Sequence, residues 1–398
     1  MDANMLVGLE VLRNNPKMSQ NWGKCAYVCN QASLCTDWAH GVNILEDILG
    51  ERFVCLFGPQ HGFLGTVQDN MIETEHTVHA SSGRPIYSLY SETREPTQSM
   101  LEGIDTIIID LQITGCRIYT FKSTIAGCLR AAKKFNKNVV VLDRPNPVGG
   151  RFIEGRCVEP KNYSFVGQFT MPMRHGLSAG EAALFFNIDI GAELEVVALE
   201  GWNAREDWRA TGRHWVLTSP NLPTLDPVFV YPGTVIFEGT NISEGRGTGL
   251  PFQLIGAPYC KDPQKLIKRF QDYWGGKPQG VHFREAMFEP TSGKWMGQEC
   301  RGVQIHILDP SLIASYQLTL SLLKSFWDLS DGRFEFSQKP YEYEFDTLPI
   351  KIIIGGEASV SRLENYDKND KFWLWGIDEY CKKVAPLLLY ERKQELLV

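Results

Sequence analysis

The chain has 398 residues, of which 43% are hydrophobic, and its formal net charge is −7. This length favours two domains, and the apolar content excludes a disordered or fibrous chain. Acidic and basic residues are mixed without a basic run, so we expect no nucleic-acid partner and favour a small or neutral ligand.

The N-terminal stretch MDANMLVGLEVL lacks a basic segment followed by an apolar one, and no apolar run approaches the roughly 20 residues of a membrane span. We therefore expect a soluble protein with no membrane partner, cytoplasmic as written and periplasmic or extracellular if a signal peptide was removed. The ten cysteines are scattered, as is typical of buried free thiols, and the closest cluster, Cys25–Cys29–Cys35, lacks the C-x-x-C spacing of a zinc site. We predict no metal and no cofactor; the oligomeric state stays open.

The first half of the chain alternates short apolar runs with helical patterns. The predicted strands are 24–29, 52–57, 85–90, 105–111, 138–143 and 194–199. Helices are predicted over 37–49, over 120–135 and after Ser178, where Glu181 completes a capping box. Short β-branched runs are typical of strands covered on both faces. The alternation therefore predicts a doubly wound, mostly parallel α/β sheet in a domain over residues 1–216.

The second half has a different pattern, so we place a domain boundary near residue 216. Residues 217–260 are rich in Gly and Pro and show little periodicity. Helices are predicted over 262–273, 312–329 and 371–395, and strands near 303–308 and 350–354. We expect a smaller α+β domain over residues 217–398.

Four predicted strands are followed by polar stretches. These are GPQHGF at 58–63, SETREPT at 91–97, QITGCRIYT at 112–120 and RPNPVGG at 144–150. Because the carboxyl ends of parallel strands meet at one edge of a sheet, the four stretches predict a ligand site there. The alternative is a set of ordinary βα turns, in which Pro, Gly and Asn are common.

A second informative stretch is YPGTVIFEGTNISEGRGTGLPF at 231–252. We interpret it as a loop that closes over the sheet edge, since long loops in compact domains are usually functional; a solvated loop with an internal Arg–Glu pair is the alternative. The chain lacks a G-x-x-x-x-G-K-[ST] loop and an H-E-x-x-H motif. Carboxylates, His and Tyr remain, which indicate proton transfer on a polar substrate, with glycoside cleavage one option.

Eight stretches resemble a bacterial family of exo-β-N-acetylmuramidases, formerly a domain of unknown function. They are GPQHGFLG (58–65), YSLYSETREPTQSML (87–101), IDLQITGCRIYTF (109–121), LDRPNPVGG (142–150), RHGLSAGEAALFFN (174–187), SPNLPT (219–224), YPGTVIFEGTNISEGRGT (231–248) and PFQLIGAPY (251–259). The resemblance implies a Rossmann-like first domain and an active site in the cleft between two domains. It also implies release of terminal N-acetylmuramic acid from peptidoglycan fragments, so that the partner is a sugar or muropeptide.

Two residues depart from the family's pattern. The first motif of the family usually reads P-E-H-G, with a glutamate that the resemblance assigns to catalysis, and this chain has Gln60 there. The third motif usually has Asp where this chain has Ile113. An amide does not titrate at neutral pH, and loss of a general acid typically costs ~10²–10⁴-fold in rate.

Three interpretations follow. In the first, the protein is a glycosidase in which another group supplies the proton, with the substrate's 2-acetamido oxygen as a possible nucleophile. In the second, it binds a muramyl sugar without cleaving it, and an arginine such as Arg144 or Arg246 holds the lactyl carboxylate. In the third, the fold serves different chemistry.

The candidate catalytic residues are Gln60, His61, Asp110, Tyr119, Glu238 and Glu244. The candidate substrate-binding residues are Tyr90, Arg117, Arg144, Asn146, Asn241 and Arg246. For Asp110 we also consider a buried structural acid that pairs with Arg117.

Overall fold

A computed structural model describes residues 5–67, 71–367, 369–392 and 395–396. The strands are β1 (Cys25–Val28), β2 (Phe53–Gly58), β3 (Thr77–Val78), β4 (Pro85–Ser88), β5 (Thr106–Ile109), β6 (Asn138–Leu142), β7 (Phe152–Ile153), β8 (Glu193–Val197), β9 (Leu254–Ala257), β10 (Val281–Phe288), β11 (Cys300–Ile307) and β12 (Glu395–Leu396). The α-helices are α1 (Gly8–Asn14), α2 (Gly41–Leu49), α3 (Phe121–Phe135), α4 (Ala179–Ile190), α5 (Leu225–Thr234), α6 (Pro263–Trp274), α7 (Ser315–Asp328), α8 (Pro349–Ile354), α9 (Glu357–Glu364) and α10 (Ile377–Val384).

The first half forms a seven-stranded sheet with the order β3-β4-β2-β1-β5-β6-β8. All neighbouring strands are parallel except β3, which pairs antiparallel with β4. Without β3, the order corresponds to the 3-2-1-4-5-6 order of doubly wound nucleotide-binding folds. The predicted parallel α/β sheet is therefore confirmed. Strands β2 and β4 extend the sheet on one side of β1, and β5, β6 and β8 extend it on the other, so the topological switch point lies between β1 and β5.

Both faces of this sheet are buried because its strands alternate their side chains between two cores. Ala26 and Ile107 belong to the core that contains α3 and α4, whereas Tyr27 and Ile108 belong to the core that contains α1 and α2. Because both the odd and the even side chains of a strand are buried, each strand is a continuous apolar run in the sequence rather than an alternating one. The capping box predicted at the start of α4 is also present.

The second half contains a three-stranded antiparallel sheet, ordered β10-β11-β9, with α5, α6 and α7 beside it. Helix α5 approaches α7 closely at Gly233, where a Cβ atom would lie 1.9 Å from the carbonyl oxygen of Ser315. Only glycine permits this approach. The mixed α and β content agrees with the predicted α+β arrangement.

Three expectations for the second half are wrong. The stretch 231–252 is not a loop throughout, since it begins in the last turn of α5 and continues in a 3₁₀ turn over Val235–Gly239. Helix α5 is buried along its last eight residues, so it lacks the amphipathic period by which a helix is recognised. The apolar run at 350–354 is helix α8, opened by a proline, because short β-branched runs fit either structure. Of the described residues within 371–395, α10 alone is α-helical.

The remaining general features concern the cysteines and membrane spans. All ten cysteines are free thiols; nine are buried and Cys381 is partly exposed. Among the described residues, no helix combines the length and the apolar character needed to span a membrane.

Candidate active site

A small pocket lies between the carboxyl edge of the large sheet and the second half of the chain. We call it the central pocket, and its walls are Gln60, His61, Ile118, Tyr119, Thr120, Ser219, Asn221, Leu222, Tyr231, Glu238, Arg246, Phe252, Tyr341 and Glu342. It opens toward a larger cavity, the outer cleft, lined by Met71, Glu238, Glu244, Arg246, Gly293, Lys294, Ser337, Lys339, Pro340, Tyr341, Glu342 and Pro349. Four side chains line both volumes, so the two cavities form one continuous candidate site.

Gln60 lies in the turn after β2 and is almost fully buried. Its side-chain oxygen accepts a hydrogen bond from the Thr120 hydroxyl, and its Nε2 donates to Glu342 Oε1 at 3.4 Å. The amide therefore has one donor and one acceptor partner, which fixes its orientation. The residue at the family's acid position is thus in contact with a carboxyl group from the other half of the chain.

Glu342 is the carboxyl group that sequence analysis missed. It is 3% exposed, and its second oxygen accepts a hydrogen bond from the Tyr90 hydroxyl at 2.6 Å. Burial raises the pKa of Glu342, and the hydrogen bonds from Tyr90 and Gln60 only partly offset that effect. No arginine or lysine forms an ion pair with this carboxyl among the described residues. A buried acid with neutral donors can hold its proton at a higher pH than an exposed one.

The backbone around Glu342 is a tight turn. Tyr341 and Glu344 exchange backbone hydrogen bonds of 3.1 and 3.0 Å, and the two residues between them have φ values of 46° and 68°. Two positive φ angles in a two-residue turn normally require Asn or Gly, so Glu342 and Tyr343 are strained there. The guanidinium of Arg94 lies 3.9 Å from the centre of the Tyr343 ring and helps to hold the turn. Such strain is typical of positions kept for function.

Glu238 is the second acid of the central pocket. It accepts hydrogen bonds of 2.6 Å from Arg246 Nη2 and from the Tyr341 hydroxyl. Burial raises the pKa of Glu238, against the effect of the positive charge on Arg246, and the nearby Glu244 carboxylate raises it further. The Arg246 contact orients the carboxyl at the boundary between the pocket and the outer cleft.

Glu244 differs from the other two glutamates because it lies beside two cations. Lys294 Nζ is 2.7 Å from one of its oxygens, and Arg246 Nε is 3.8 Å from the other. Although burial raises its pKa, the charges on Lys294 and Arg246 more than compensate, and the pKa of Glu244 is lowered. Glu244 is therefore a fixed anion, unsuited to deliver a proton near neutral pH.

His61 and Tyr119 line the opposite wall. The Nδ1 atom of His61 is 2.6 Å from the Val67 carbonyl oxygen, and its Nε2 is 3.1 Å from Ser219 Oγ. The Tyr119 hydroxyl donates to Thr218 at 2.7 Å, and burial raises its pKa beyond the physiological range. Both side chains are oriented by the 218–222 segment, which the sequence analysis did not single out as part of the site.

Two predicted site residues lie outside the central pocket as an ion pair. Arg144 binds both carboxylate oxygens of Asp110, and the Tyr27 hydroxyl also donates to this carboxylate at 2.6 Å. Asp110 is fully buried, and its partner is Arg144 rather than the expected Arg117. The pair joins the ends of β5 and β6, which gives it a structural position.

The other predicted binding residues mainly hold the backbone. Arg117 donates to the carbonyl oxygens of Arg156, Met171 and Ile353, and Asn146 stabilises its own turn through Val148 and Leu177. Asn241 contacts Tyr259 and Arg333. Ile113, where the family usually has Asp, is buried in the core. None of these four residues lines the central pocket or the outer cleft.

The structure thus brings together six of the twelve predicted site residues. Gln60, His61, Tyr119, Glu238, Glu244 and Arg246 line the central pocket or the outer cleft, and Tyr90 contacts the pocket through Glu342. The missed residues are Thr120, Ser219, Tyr341 and Glu342. A signal for the last pair was the run PYEYEF, in which two acids alternate with aromatic residues. Within the described part of the chain, no cluster of three or more His, Cys, Asp or Glu side chains is arranged to hold a metal ion.

The chain is similar to known proteins over most of its length. Residues 25–226 match the family model described as exo-β-N-acetylmuramidase NamZ, N-terminal, and residues 229–390 match its C-terminal counterpart. A peptidoglycan β-N-acetylmuramidase NamZ of Bacillus subtilis is 39% identical over 390 residues, which cover 96% of this chain and 91% of that protein.

Two crystal structures of DUF1343 family proteins from Bacteroides fragilis have similar folds. The first has a TM-score of 0.86 and 28% identity, covering 98% of this chain and 99% of the other. The second has a TM-score of 0.72 and 23% identity, covering 99% of this chain and 100% of the other, and it supports the fold alone. With both family models matching nearly the whole sequence, this chain belongs to the exo-β-N-acetylmuramidase NamZ family.

Proposed function

We propose that this protein hydrolyses the β-glycosidic bond of a terminal N-acetylmuramic acid in peptidoglycan fragments, and that Glu342 supplies the proton. The name of the Bacillus subtilis relative supports the substrate class. One observation carries the mechanism: Gln60, at the family's acid position, donates a hydrogen bond to a buried carboxyl with a raised pKa. A carboxyl group that can serve as the acid is therefore in contact with the residue at the family's acid position.

In this mechanism, the protonated Glu342 donates its proton to the glycosidic oxygen as the bond to the anomeric carbon breaks. The 2-acetamido oxygen of the sugar attacks that carbon, and the aglycone leaves with the proton. Water then attacks the cyclic intermediate and gives its proton to the Glu342 carboxylate, which restores the enzyme. Substrate assistance needs one acid and one orienting group, so a second catalytic carboxylate that acts as nucleophile is not required.

Glu238 is suited to the orienting role. Arg246 and Tyr341 hold its two oxygens, and it lines both the central pocket and the outer cleft. A carboxylate in this position can accept the acetamido N–H and thereby direct the acetamido oxygen toward the anomeric carbon. For the lactyl carboxylate we favour Lys339 of the outer cleft, which forms no ion pair with the described residues, unlike Arg246 and Lys294.

The test is hydrolysis of a chromogenic β-N-acetylmuramide by the natural protein and by Glu342→Gln. We expect the substitution to lower kcat/KM by ~10²–10⁴-fold, as loss of a general acid does. Glu344→Gln is the matched control, since Glu344 lies in the same turn but lines neither cavity. Full activity of Glu342→Gln would refute the assignment of the proton donor.

A sugar-binding protein without hydrolysis is the second candidate, and the non-titrating Gln60 favours it. In that case the natural protein binds N-acetylmuramic acid in a calorimetric titration but releases no chromophore, and Gln60→Glu introduces hydrolysis. Activity of the natural protein, with little gain in Gln60→Glu, would instead support Glu342 as the donor. Absence of both binding and hydrolysis would reject the sugar assignment.

A further inference from the structure

A second pocket lies at the topological switch point of the large sheet, between β1 and β5. We call it the switch-point pocket. Residues 32–38 after β1, Gln112 after β5 and Arg144 after β6 form one side, and Trp208, Arg213 and His214 contribute the other. The crevice beyond the carboxyl ends of the strands at such a reversal is where doubly wound sheets bind ligands. Its volume, about 30 Å³, admits one small group rather than a whole ring.

Trp38 offers a flat apolar surface at this pocket. Its side chain is 58% exposed, although an indole is a large apolar group, and one face stacks on His214 with ring centres 5.4 Å apart. The residue has a φ of 69°, which a bulky side chain rarely adopts. The turn is held by hydrogen bonds between Cys35 and both Trp38 and Ala39. An exposed aromatic ring kept in a strained turn is typical of a binding platform.

Gln112 supplies an unsatisfied acceptor. The residue is 2% exposed, and its Nε2 donates to the carbonyl oxygens of Ile113 and Pro145 at 2.8 Å, which fixes the direction of the amide. Its Oε1 is buried and has no hydrogen-bond partner among the described residues. Buried acceptors without partners are rare in folded proteins, so this oxygen is suited to receive an N–H or O–H from a ligand.

The charges of the pocket are already neutralised. Asp110 binds Arg144 through both carboxylate oxygens, and Arg213 Nη1 is 2.8 Å from Glu10. Burial raises the pKa of the Cys35 thiol to about 12, so it stays neutral at physiological pH. Both arginines among the described lining residues are therefore paired, so an anionic ligand such as a phosphate would have to compete with Asp110 or Glu10, whereas a neutral polar ligand with an apolar face matches the lining.

We propose that the switch-point pocket binds an N-acetylhexosamine unit, with the acetamido group inside the pocket near Gln112 and the sugar ring against Trp38. The choice of an acetylated sugar rests on the proposed function, because a peptidoglycan fragment carries N-acetylated sugars beyond the one that is cleaved. The segment from Arg213 to Leu222 connects this pocket with the central pocket: Asn30 and Gln31, beside the first, bind the carbonyl oxygens of Thr218 and Leu217. The switch-point pocket can therefore hold a sugar of the chain that is cleaved, or of a neighbouring chain, near the central pocket.

The test is a calorimetric titration of the full-length protein with oligomers of N-acetylglucosamine, with cello-oligomers, which lack the acetamido group, as the ligand control. We expect Trp38→Ala to weaken binding by about tenfold or more, as loss of an aromatic contact does. Trp375→Ala is the matched control, because Trp375 is also exposed (45%) but lines neither pocket. Unchanged binding by Trp38→Ala, equal binding of cello-oligomers, or no binding by the natural protein would overturn the proposal.

Hydrolysis of the chromogenic monosaccharide keeps this test separate from that of the proposed function. That substrate carries a single sugar, so Trp38→Ala should cleave it as the natural protein does. If the natural protein binds the oligomers through Trp38 but does not hydrolyse the chromogenic substrate, the glycosidase assignment alone is rejected. Intact hydrolysis with oligomer binding that is insensitive to Trp38 would reject the second site alone.

Discussion

Asp110 and Glu342 are both buried carboxyl groups beside the carboxyl edge of the large sheet, but their partners differ. Asp110 forms a bidentate ion pair with Arg144 and accepts a hydrogen bond from Tyr27. Glu342 has neutral donors, Gln60 and Tyr90, and burial raises its pKa. The first arrangement ties a carboxylate to a buried counter-charge, whereas the second leaves a buried carboxyl group without an ion-pair partner among the described residues. The partner, rather than the depth of burial, distinguishes the structural acid from the proposed proton donor.

The largest effect should come from removing the structural acid. Asp110→Ala leaves Arg144 buried without its counter-charge, and breaking a buried pair in this way costs ~3–5 kcal/mol in free energy of unfolding. Urea denaturation followed by circular dichroism measures the loss. Asp47→Ala, on the exposed face of α2, should change stability by less than about 0.5 kcal/mol. A loss of similar size in both variants would contradict the structural role of Asp110.

Asp143 is a third buried carboxyl group, and its partners are again neutral. It is fully buried, and its carboxyl accepts hydrogen bonds from Tyr390, Ser178 and the Gly180 amide rather than pairing with a cation. Burial raises its pKa to about 7. Between about pH 4 and pH 7 the unfolded chain ionises this group while the folded chain keeps the proton. Stability therefore falls as the pH rises through this window.

Asp143→Asn should remove this dependence. The difference in unfolding free energy between the natural protein and the variant should change by up to ~1.4 kcal/mol per pH unit within the window. Denaturant midpoints measured at several pH values between 4 and 8 provide the comparison. Parallel curves for the two proteins would show that Asp143 does not titrate there.

The weakest change should follow from loss of the tyrosine hydroxyl beside the proposed proton donor. The Tyr90 hydroxyl stabilises the carboxylate form of Glu342, so Tyr90→Phe should raise the pKa of Glu342 further. The alkaline limb of the kcat/KM profile on the chromogenic muramide should move to higher pH. Tyr87→Phe, which leaves the bond to Glu342 in place, is the control. A limb that stays fixed, or moves to lower pH, would argue against Glu342 as the proton donor.

Much of the large sheet could be predicted because its signals are local. Each β-branched run is covered on both faces, so the six main strands read directly as apolar segments, and the Ser178–Glu181 capping box marks the start of α4. Gln60, His61 and Tyr119 could also be predicted as neighbours, since parallel strands bring their carboxyl ends to one edge. The fold class and half of the candidate site follow from these rules.

The remaining features depend on contacts between distant segments. Helix α5 contains Pro232 and is buried on most sides. Its conformation therefore depends on packing against α7 more than on the helix propensity of its residues. Glu342 lies in the run PYEYEF, whose two acids suggest an exposed turn, whereas its contacts with Tyr90 and Gln60 come from the distant first half of the chain. Arg144, predicted to bind substrate, is neutralised by Asp110 because the ends of β5 and β6 are adjacent.

The contact between Gln60 and Glu342 joins positions 282 residues apart. A ribosome adds roughly 5–20 residues per second, so the glutamate emerges roughly 15–60 seconds after the glutamine. The N-terminal half can complete its sheet in that interval, but it does not contain Glu342. Under the proposed mechanism, the nascent chain stays inactive toward cell-wall sugars until the segment that carries Glu342 has been synthesised and has docked on Gln60.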